Sequence, residues 1–108
     1  MYLSEFKAKY VGEVDNGMPN GNGKLYFDNG DYLEGILIDG RCEGHGRFIK
    51  VNGSFYDGDL KNNVADGYGV YVDQSGYRYE GQWKNNMQNG YGESNSGLIR
   101  YVGEFSNN

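Results

Sequence analysis

The stretch Tyr79-Glu80-Gly81-Gln82-Trp83-Lys84-Asn85-Asn86, followed by Asn89-Gly90-Tyr91-Gly92, contains the pattern that decides the fold. Its first part reads Tyr-x-Gly-x-Trp, so alternation places the tyrosine, the glycine and the tryptophan on one face of a β-strand. A Gly-x-Gly then opens a second short strand. The chain also holds six Asn-Gly and three Asp-Gly dipeptides, which favour tight hairpin turns because both residue types tolerate positive φ.

The same pattern recurs through the chain at a spacing of 23 residues, with a final interval of 22. Fixed periods of 20–50 residues indicate arrayed structural units. We therefore predict a repeat array over residues 10–108, preceded by an N-terminal strand or cap over residues 1–9. The predicted units are 10–32, 33–55, 56–78, 79–100 and the partial unit 101–108. The first apolar position of each unit is held by Tyr10, Leu33, Tyr56, Tyr79 and Tyr101.

Each unit is predicted to be a β-hairpin whose large side chains share one face. A glycine between two large residues leaves a gap in which a ring from a neighbouring strand can lie flat over the backbone, so the repeated pattern predicts a ladder of rings across the sheet. At about 4.8 Å between strands, four and a half units predict a sheet on the order of 45 Å long. The opposite face of the first strands is predicted to be mostly polar. The polar run Glu93–Ser96 predicts that the second strand of the fourth unit is frayed or acts as a break in the groove.

These residues resemble the MORN repeat (membrane occupation and recognition nexus), and the resemblance covers residues 10–105. It implies an all-β fold, an elongated, twisted, single-layer antiparallel sheet of tandem hairpins with an aromatic-lined groove. It also implies use as a scaffold in cytoskeletal or membrane-associated assemblies. The second unit departs from the pattern, because Leu33 and Leu37 stand where aromatic residues are usual.

The composition excludes several classes of protein. A net charge of −5 argues against a nucleic-acid binder, which needs concentrated positive charge. A single cysteine, Cys42, allows no intrachain disulfide. Nineteen glycines exceed the roughly eight expected from average usage, but they follow no collagen period. We expect a cytoplasmic protein, with a peripheral position at a membrane or the cytoskeleton as the alternative.

Catalytic and cofactor motifs are not evident in the sequence. Gly21-Asn22-Gly23 lacks the third glycine of a dinucleotide-binding loop. Cys42 and His45 are close in sequence but fall in one predicted turn region without an orienting partner. A zinc site needs about four ligands, and the chain has too few cysteine and histidine residues. We predict no enzyme activity, no cofactor and no metal site.

The candidate functional residues are therefore the aromatic side chains of the shared face. Their simplest role is to stack on one another and hold the sheet together. A single layer leaves that face uncovered, however, so we expect the rings to remain partly exposed, and an exposed apolar patch marks a binding surface. The predicted partner-binding residues are Tyr10, Phe48, Tyr56, Tyr71, Tyr79, Trp83, Tyr101 and Phe105.

Three functions follow from this interpretation. The leading hypothesis is a non-catalytic scaffold that binds an extended or helical segment of a partner protein along the groove. The second is attachment to phosphoinositides or other anionic lipids, for which a local cluster of Lys61, Arg78, Lys84 and Arg100 is a candidate. The third is self-association as a homodimer through the open ends of the sheet. The half unit at residues 101–108 is expected to be either the end of an excerpt from a longer array or a strand that caps the sheet. We favour an excerpt or a module of a larger protein.

Overall fold

The computed structural model of the protein describes residues 1–106 and consists of one ten-stranded antiparallel sheet. Asn107 and Asn108, the end of the predicted partial unit, lie outside the described residues. Strand order follows chain order, and no helix occurs within residues 1–106, so the all-β prediction is confirmed. The strands are β1 (Tyr2–Leu3), β2 (Ala8–Asp15), β3 (Met18–Phe27), β4 (Tyr32–Ile38), β5 (Arg41–Ile49), β6 (Phe55–Lys61), β7 (Val64–Val72), β8 (Arg78–Lys84), β9 (Met87–Asn95) and β10 (Arg100–Phe105).

The sheet is elongated, with principal extents of 47 × 24 × 18 Å, close to the predicted length. Each strand pairs only with its neighbours in the chain, so every unit gains its packing from the units on either side. A cluster of buried residues lies in the first two units and includes Tyr10, Leu25, Leu33 and Leu37.

The hairpin turns inside the units use two consecutive residues with positive φ, the arrangement of a type I′ turn. Asn16-Gly17 and Asp39-Gly40 were recognisable from their sequence, whereas the third and fourth units use Asn62-Asn63 and Asn85-Asn86. Asparagine adopts this conformation at lower cost than other residues with a Cβ atom.

The two glycines of each Gly-x-Gly have different roles. The first has positive φ at a bulge, and Gly67 (φ 114°) is an example. The carboxylate of Asp59 on the opposing strand accepts a hydrogen bond from the Tyr68 amide at 3.0 Å and so closes this bulge. Glu13 and Gln82 do the same in the first and fourth units. The second glycine of each pair belongs to a row of glycines that crosses the sheet and is described below.

Successive units are joined by an asparagine side chain of the next hairpin turn. The Oδ1 atom of Asn63 accepts from the amide of Cys42 at 2.8 Å, and the Asn63 amide donates to the Cys42 carbonyl at 3.1 Å. Asn86 makes the same pair of bonds with Ala65. At the first junction the partners are Pro19, which has no N–H to donate, and Gly40, which has no side chain to accept it.

We expect Asn63→Gly to lower the free energy of unfolding by about 1 kcal/mol, because it removes one hydrogen bond but keeps positive φ available. Asn63→Ala should cost about 1 kcal/mol more, since a left-handed conformation is unfavourable for alanine. Urea denaturation of the two variants measures both losses. Equal stability of the wild type and Asn63→Gly would contradict a role for this bond between units.

The expectation that the fourth unit is frayed is wrong. Strand β9 is continuous from Met87 to Asn95 and pairs with both β8 and β10. The shorter connection that follows is a two-residue hairpin turn centred on Gly97 and Leu98, closed by the Ser96 amide donating to the Ile99 carbonyl at 3.0 Å. Glycine at the first central position suits such a turn. Backbone pairing therefore compensates for the polar side chains.

Candidate interaction groove

A continuous row of glycines crosses one face of the sheet, from β2 to β10. Each member lies directly opposite the next on the adjacent strand, so the row forms a trough without side chains of its own. We call it the glycine row, and its members are Gly12, Gly23, Gly35, Gly46, Gly58, Gly69, Gly81, Gly92 and Gly103.

Tyrosine rings fill most of this trough. The Tyr56 hydroxyl donates to the carbonyl of Asp59 at 2.7 Å, which turns its ring down over the glycines of its own and the following strand. A Cβ atom added at Gly69 would lie 2.5 Å from the Tyr56 Cε1 atom, so only glycine leaves room for the ring. The hydroxyls of Tyr10, Tyr79 and Tyr101 likewise donate to the carbonyl three residues ahead, at 2.6, 2.7 and 2.9 Å.

The expectation that these tyrosine rings remain partly exposed is wrong for three of them. Tyr10, Tyr56 and Tyr79 expose only 2%, 8% and 0% of their surface, whereas Tyr101 on the last strand exposes 46%. The cause is the hydroxyl bond to the backbone, which holds the ring against the glycine row. These three tyrosines are therefore packing residues of the sheet.

Trp83 connects the rings of neighbouring units. Its ring meets those of Tyr56 and Tyr79 edge-to-face, with centroids 5.2 Å away in both cases, and its Nε1 donates to the carbonyl of Gly69 at 3.1 Å. Phe105 continues the series at 4.8 Å from Tyr79. The predicted ladder of rings therefore exists in the C-terminal half, where neighbouring rings meet edge-to-face. The second unit interrupts it with Leu33 and Leu37.

A groove of about 670 Å³ runs along this face over the first four units. Of the predicted partner-binding residues, Phe48, Tyr56, Tyr71 and Trp83 line it, whereas Tyr10, Tyr79, Tyr101 and Phe105 do not. Sequence reasoning missed most of the other lining residues, although Phe27 follows Leu25 at strand spacing and so shares its face. The additional lining residues are Phe6, Leu25, Phe27, Leu33, Cys42, Lys50, Leu60, Asn63, Ala65, Asn86 and Gln88.

Comparison with protein families agrees with this architecture. The family model for the MORN repeat matches residues 10–32, 34–55, 56–76 and 79–94. The chain belongs to the MORN-repeat family. MORN repeats mediate protein–protein or membrane interactions and are typically non-catalytic. The search of curated proteins found no match.

Residues 1–106 of this MORN protein contain no helix of the length and hydrophobicity needed to cross a membrane.

The outer face of the MORN sheet, opposite the groove, carries apolar as well as polar residues. Its first strands do carry acidic residues, but Phe55, Val70 and Val72 add half-buried apolar surface there. The guanidinium of Arg47 lies 5.3 Å from the centre of the Phe55 ring, a cation–π arrangement. The Tyr68 hydroxyl donates to the carboxylate of Glu80. On this face an apolar row crosses the sheet from β3 to β7, beside a row of mostly charged residues, and consists of Tyr26, Tyr32, Ile49, Phe55 and Val72.

The cations suggested for lipid binding do not cluster. Lys61 and Lys84 end β6 and β8, whereas Arg78 and Arg100 begin β8 and β10, at the other side of the sheet. Both arginines are also paired, Arg78 with Glu80 at 2.9 Å and Arg100 with Glu93. The expected local basic cluster is therefore absent from residues 1–106.

Cys42 and His45 lie on opposite faces of β5 and do not form a pair. Cys42 is buried in the groove face, whereas His45 is exposed on the outer face, with its Nε2 atom 2.6 Å from the Asp57 carboxylate. Within residues 1–106, no group of three or more His, Cys, Asp or Glu side chains is arranged to hold a metal ion.

Burial raises the pKa values of several groups on the groove face. Desolvation raises the pKa of the Cys42 thiol to about 11, with a smaller contribution from Glu43. Burial also raises the pKa of the Tyr56 hydroxyl, reinforced by Asp59, Asp57 and Asp66. The Cys42 thiol therefore stays protonated and unreactive at neutral pH.

These raised pKa values predict a loss of stability at high pH. The unfolded chain releases protons near pH 9 to 10, where the folded chain still holds them. The unfolded state then binds fewer protons, so the free energy of unfolding falls as the pH rises. Urea denaturation at pH 7.5 and pH 10.5 measures the change. Cys42→Ala should reduce the loss, and equal stability at both pH values would contradict the assignment.

Proposed function

We propose that this MORN sheet is a non-catalytic scaffold that binds a segment of a partner protein along the groove. The observation that carries the proposal is the groove itself, a largely apolar channel over which residues 1–106 place no second layer. The half-buried residues Phe48, Leu60, Tyr71 and Trp83 are the proposed contacts. The buried tyrosines lie beneath these residues, pack over the glycine row and support the floor of the groove.

The chemistry of these contact residues supports the proposal. Aromatic side chains that are already held in place lose little conformational freedom on binding, and they dominate the energetics of interfaces. Trp83 is fixed by three neighbouring tyrosine rings and a hydrogen bond, so its exposed surface is presented in one orientation. A preorganised apolar surface of this kind favours a partner with a complementary apolar face.

We also propose that residues 1–9 cap the N-terminal end of the array. Strand β1 pairs with the start of β2, with Tyr2 opposite Lys9 and Leu3 opposite Ala8. Leu3 and Phe6 pack against the buried cluster of the first two units. The cap thereby covers apolar surface that a preceding unit would otherwise cover.

The scaffold proposal is tested with two variants, each of which places one negative charge on a different face of the sheet. Tyr71→Glu puts a carboxylate inside the groove, and Tyr91→Glu puts one on the exposed outer face, so the two variants match in chemistry. Both are used as bait in affinity capture from cell lysate, after circular dichroism has shown that they are folded. We expect Tyr91→Glu to retain the partners of the wild type and Tyr71→Glu to lose them.

Retention of every partner by a folded Tyr71→Glu variant would contradict use of the groove. Loss of partners with Tyr91→Glu alone would indicate that the partner binds the outer face.

The proposed location of the protein is the cytoplasm or the periphery of a membrane or the cytoskeleton. Imaging of a tagged chain with and without Tyr71→Glu tests whether the groove determines this location.

A further inference from the structure

Two asparagines that line the groove, Asn63 and Asn86, offer hydrogen-bond donors. The Oδ1 atoms of Asn63 and Asn86 accept from the amides of Cys42 and Ala65 at 2.8 and 2.7 Å, which fixes the orientation of both side-chain amides. The Nδ2 group of each asparagine therefore remains a potential donor on a residue that lines the groove. Within residues 1–106, neither Nδ2 group is engaged by another hydrogen bond.

Lys50 adds a positive charge at the edge of the same groove. No carboxylate in the described part of the chain lies within 4 Å of its Nζ atom. Lys50 is also the charged member of a lining that is otherwise apolar or amide. Gln88 also lines the groove, and its side-chain amide is bonded to the Tyr77 hydroxyl. The groove thus offers two amide donors and a cation, although the chain as a whole carries a net charge of −5.

An occupant of this groove must satisfy its own backbone groups. The groove is formed by side chains on the face of the sheet, whose main-chain groups are used in pairing between strands. An extended segment lying there would find no main-chain partners, whereas a helix satisfies its backbone internally. From β3 to β9 the groove spans six strand spacings, about 29 Å, which corresponds to about 19 helical residues.

We propose that the partner segment is an acidic amphipathic helix. Its apolar stripe packs on Phe48, Tyr71 and Trp83, and its carboxylates flank that stripe and meet Lys50 and the two asparagine amides. Asn63 and Asn86 occupy equivalent turns two strands apart, about 10 Å, which matches carboxylates seven residues apart on a helix. This inference rests on the proposed function and adds the chemistry of the partner.

The test uses two synthetic 18-residue helical peptides with the same leucine stripe. One carries glutamate and the other lysine at the positions that flank the stripe. Binding is followed by the fluorescence of Trp83, the single tryptophan of the chain, which lines the groove. We expect the glutamate peptide to bind about tenfold more tightly, the equivalent of about 1.4 kcal/mol. The net charge of −5 alone would favour the lysine peptide, so the two explanations predict opposite orders.

Charge reversal at Lys50 supplies the matched control. Lys50→Glu should remove or reverse the preference, whereas Lys24→Glu makes the same change in net charge on the outer face and should leave the order unchanged. Equal binding of both peptides, or tighter binding of the lysine peptide, would overturn the inference and leave groove binding intact. Failure of both peptides would also overturn it, and the capture experiment with Tyr71→Glu then decides separately whether the groove binds a partner.

Discussion

Gly58→Ala is expected to destabilise the sheet by about 3 kcal/mol or more, lowering the melting temperature by about 12 °C or more. A Cβ atom at this position would lie 2.5 Å from the carbonyl oxygen of Tyr68 and closer still to the Cα atom of Gly69. Both obstacles belong to the backbone of β7, which cannot retreat without breaking its pairing with β6. The same methyl group would also lie 2.8 Å from the Tyr56 hydroxyl oxygen.

Gly35→Ala is the matched control, because Gly35 holds the same position in the second unit. There the added Cβ atom would lie 3.1 Å from the Gly46 Cα atom and 3.2 Å from the His45 carbonyl oxygen, so a small shift relieves the contact. We expect a loss of about 1 kcal/mol or less. Urea denaturation of the two variants measures the difference, and equal losses would contradict the claim that close strand approach makes the glycine row necessary.

Tyr79→Ala is expected to lower the free energy of unfolding by about 3–5 kcal/mol, the range for a fully buried aromatic side chain. The Tyr79 ring is completely buried between Trp83 and Phe105, with centroids 5.2 and 4.8 Å away. Its hydroxyl donates to the carbonyl of Gln82 at 2.7 Å. The substitution would leave a cavity over Gly92 at the junction of two units.

Tyr101→Ala provides the comparison within the same pattern. Tyr101 has the same hydroxyl bond and the same edge-to-face contact with Phe105, but it is half exposed on the last strand. We expect a loss of about 1 kcal/mol, because less apolar surface leaves water when this ring is ordered. Thermal denaturation followed at a β-sheet signal compares the two variants. A loss at Tyr101 as large as that at Tyr79 would mean that the hydroxyl bond, and not burial, stabilises the repeat.

Much of the fold was predictable because one repeated pattern determines it. Alternation in Tyr-x-Gly-x-Trp places Tyr79, Gly81 and Trp83 on one face, and the structure confirms this arrangement. The excess of glycine also had a local cause, since the second glycine of each Gly-x-Gly joins the glycine row. Sequence alone did not show that the first glycine serves a bulge, because that role depends on the register between two strands.

The site was less predictable than the fold, because alternation assigns a face but not a direction within that face. Tyr56 and Phe48 lie opposite each other on the same face, yet the Tyr56 ring turns down onto the glycine row and Phe48 remains half-buried. The difference arises because the backbone carbonyl of Asp59 accepts a hydrogen bond from the Tyr56 hydroxyl. Lys50 and Asn63 could not be placed at the groove either, because their positions depend on the turns and on the twist of the sheet.

Photo-crosslinking from the two faces of the sheet tests the central claim, that a partner lies along the groove, most directly. A benzophenone side chain (p-benzoylphenylalanine) replaces Tyr71 in the groove or Tyr91 on the outer face, and each protein is irradiated with a captured partner. We predict crosslinks from position 71 that map to one apolar, acid-flanked segment of the partner, with none from position 91. Crosslinks from position 91 alone would contradict the account and place the partner on the outer face.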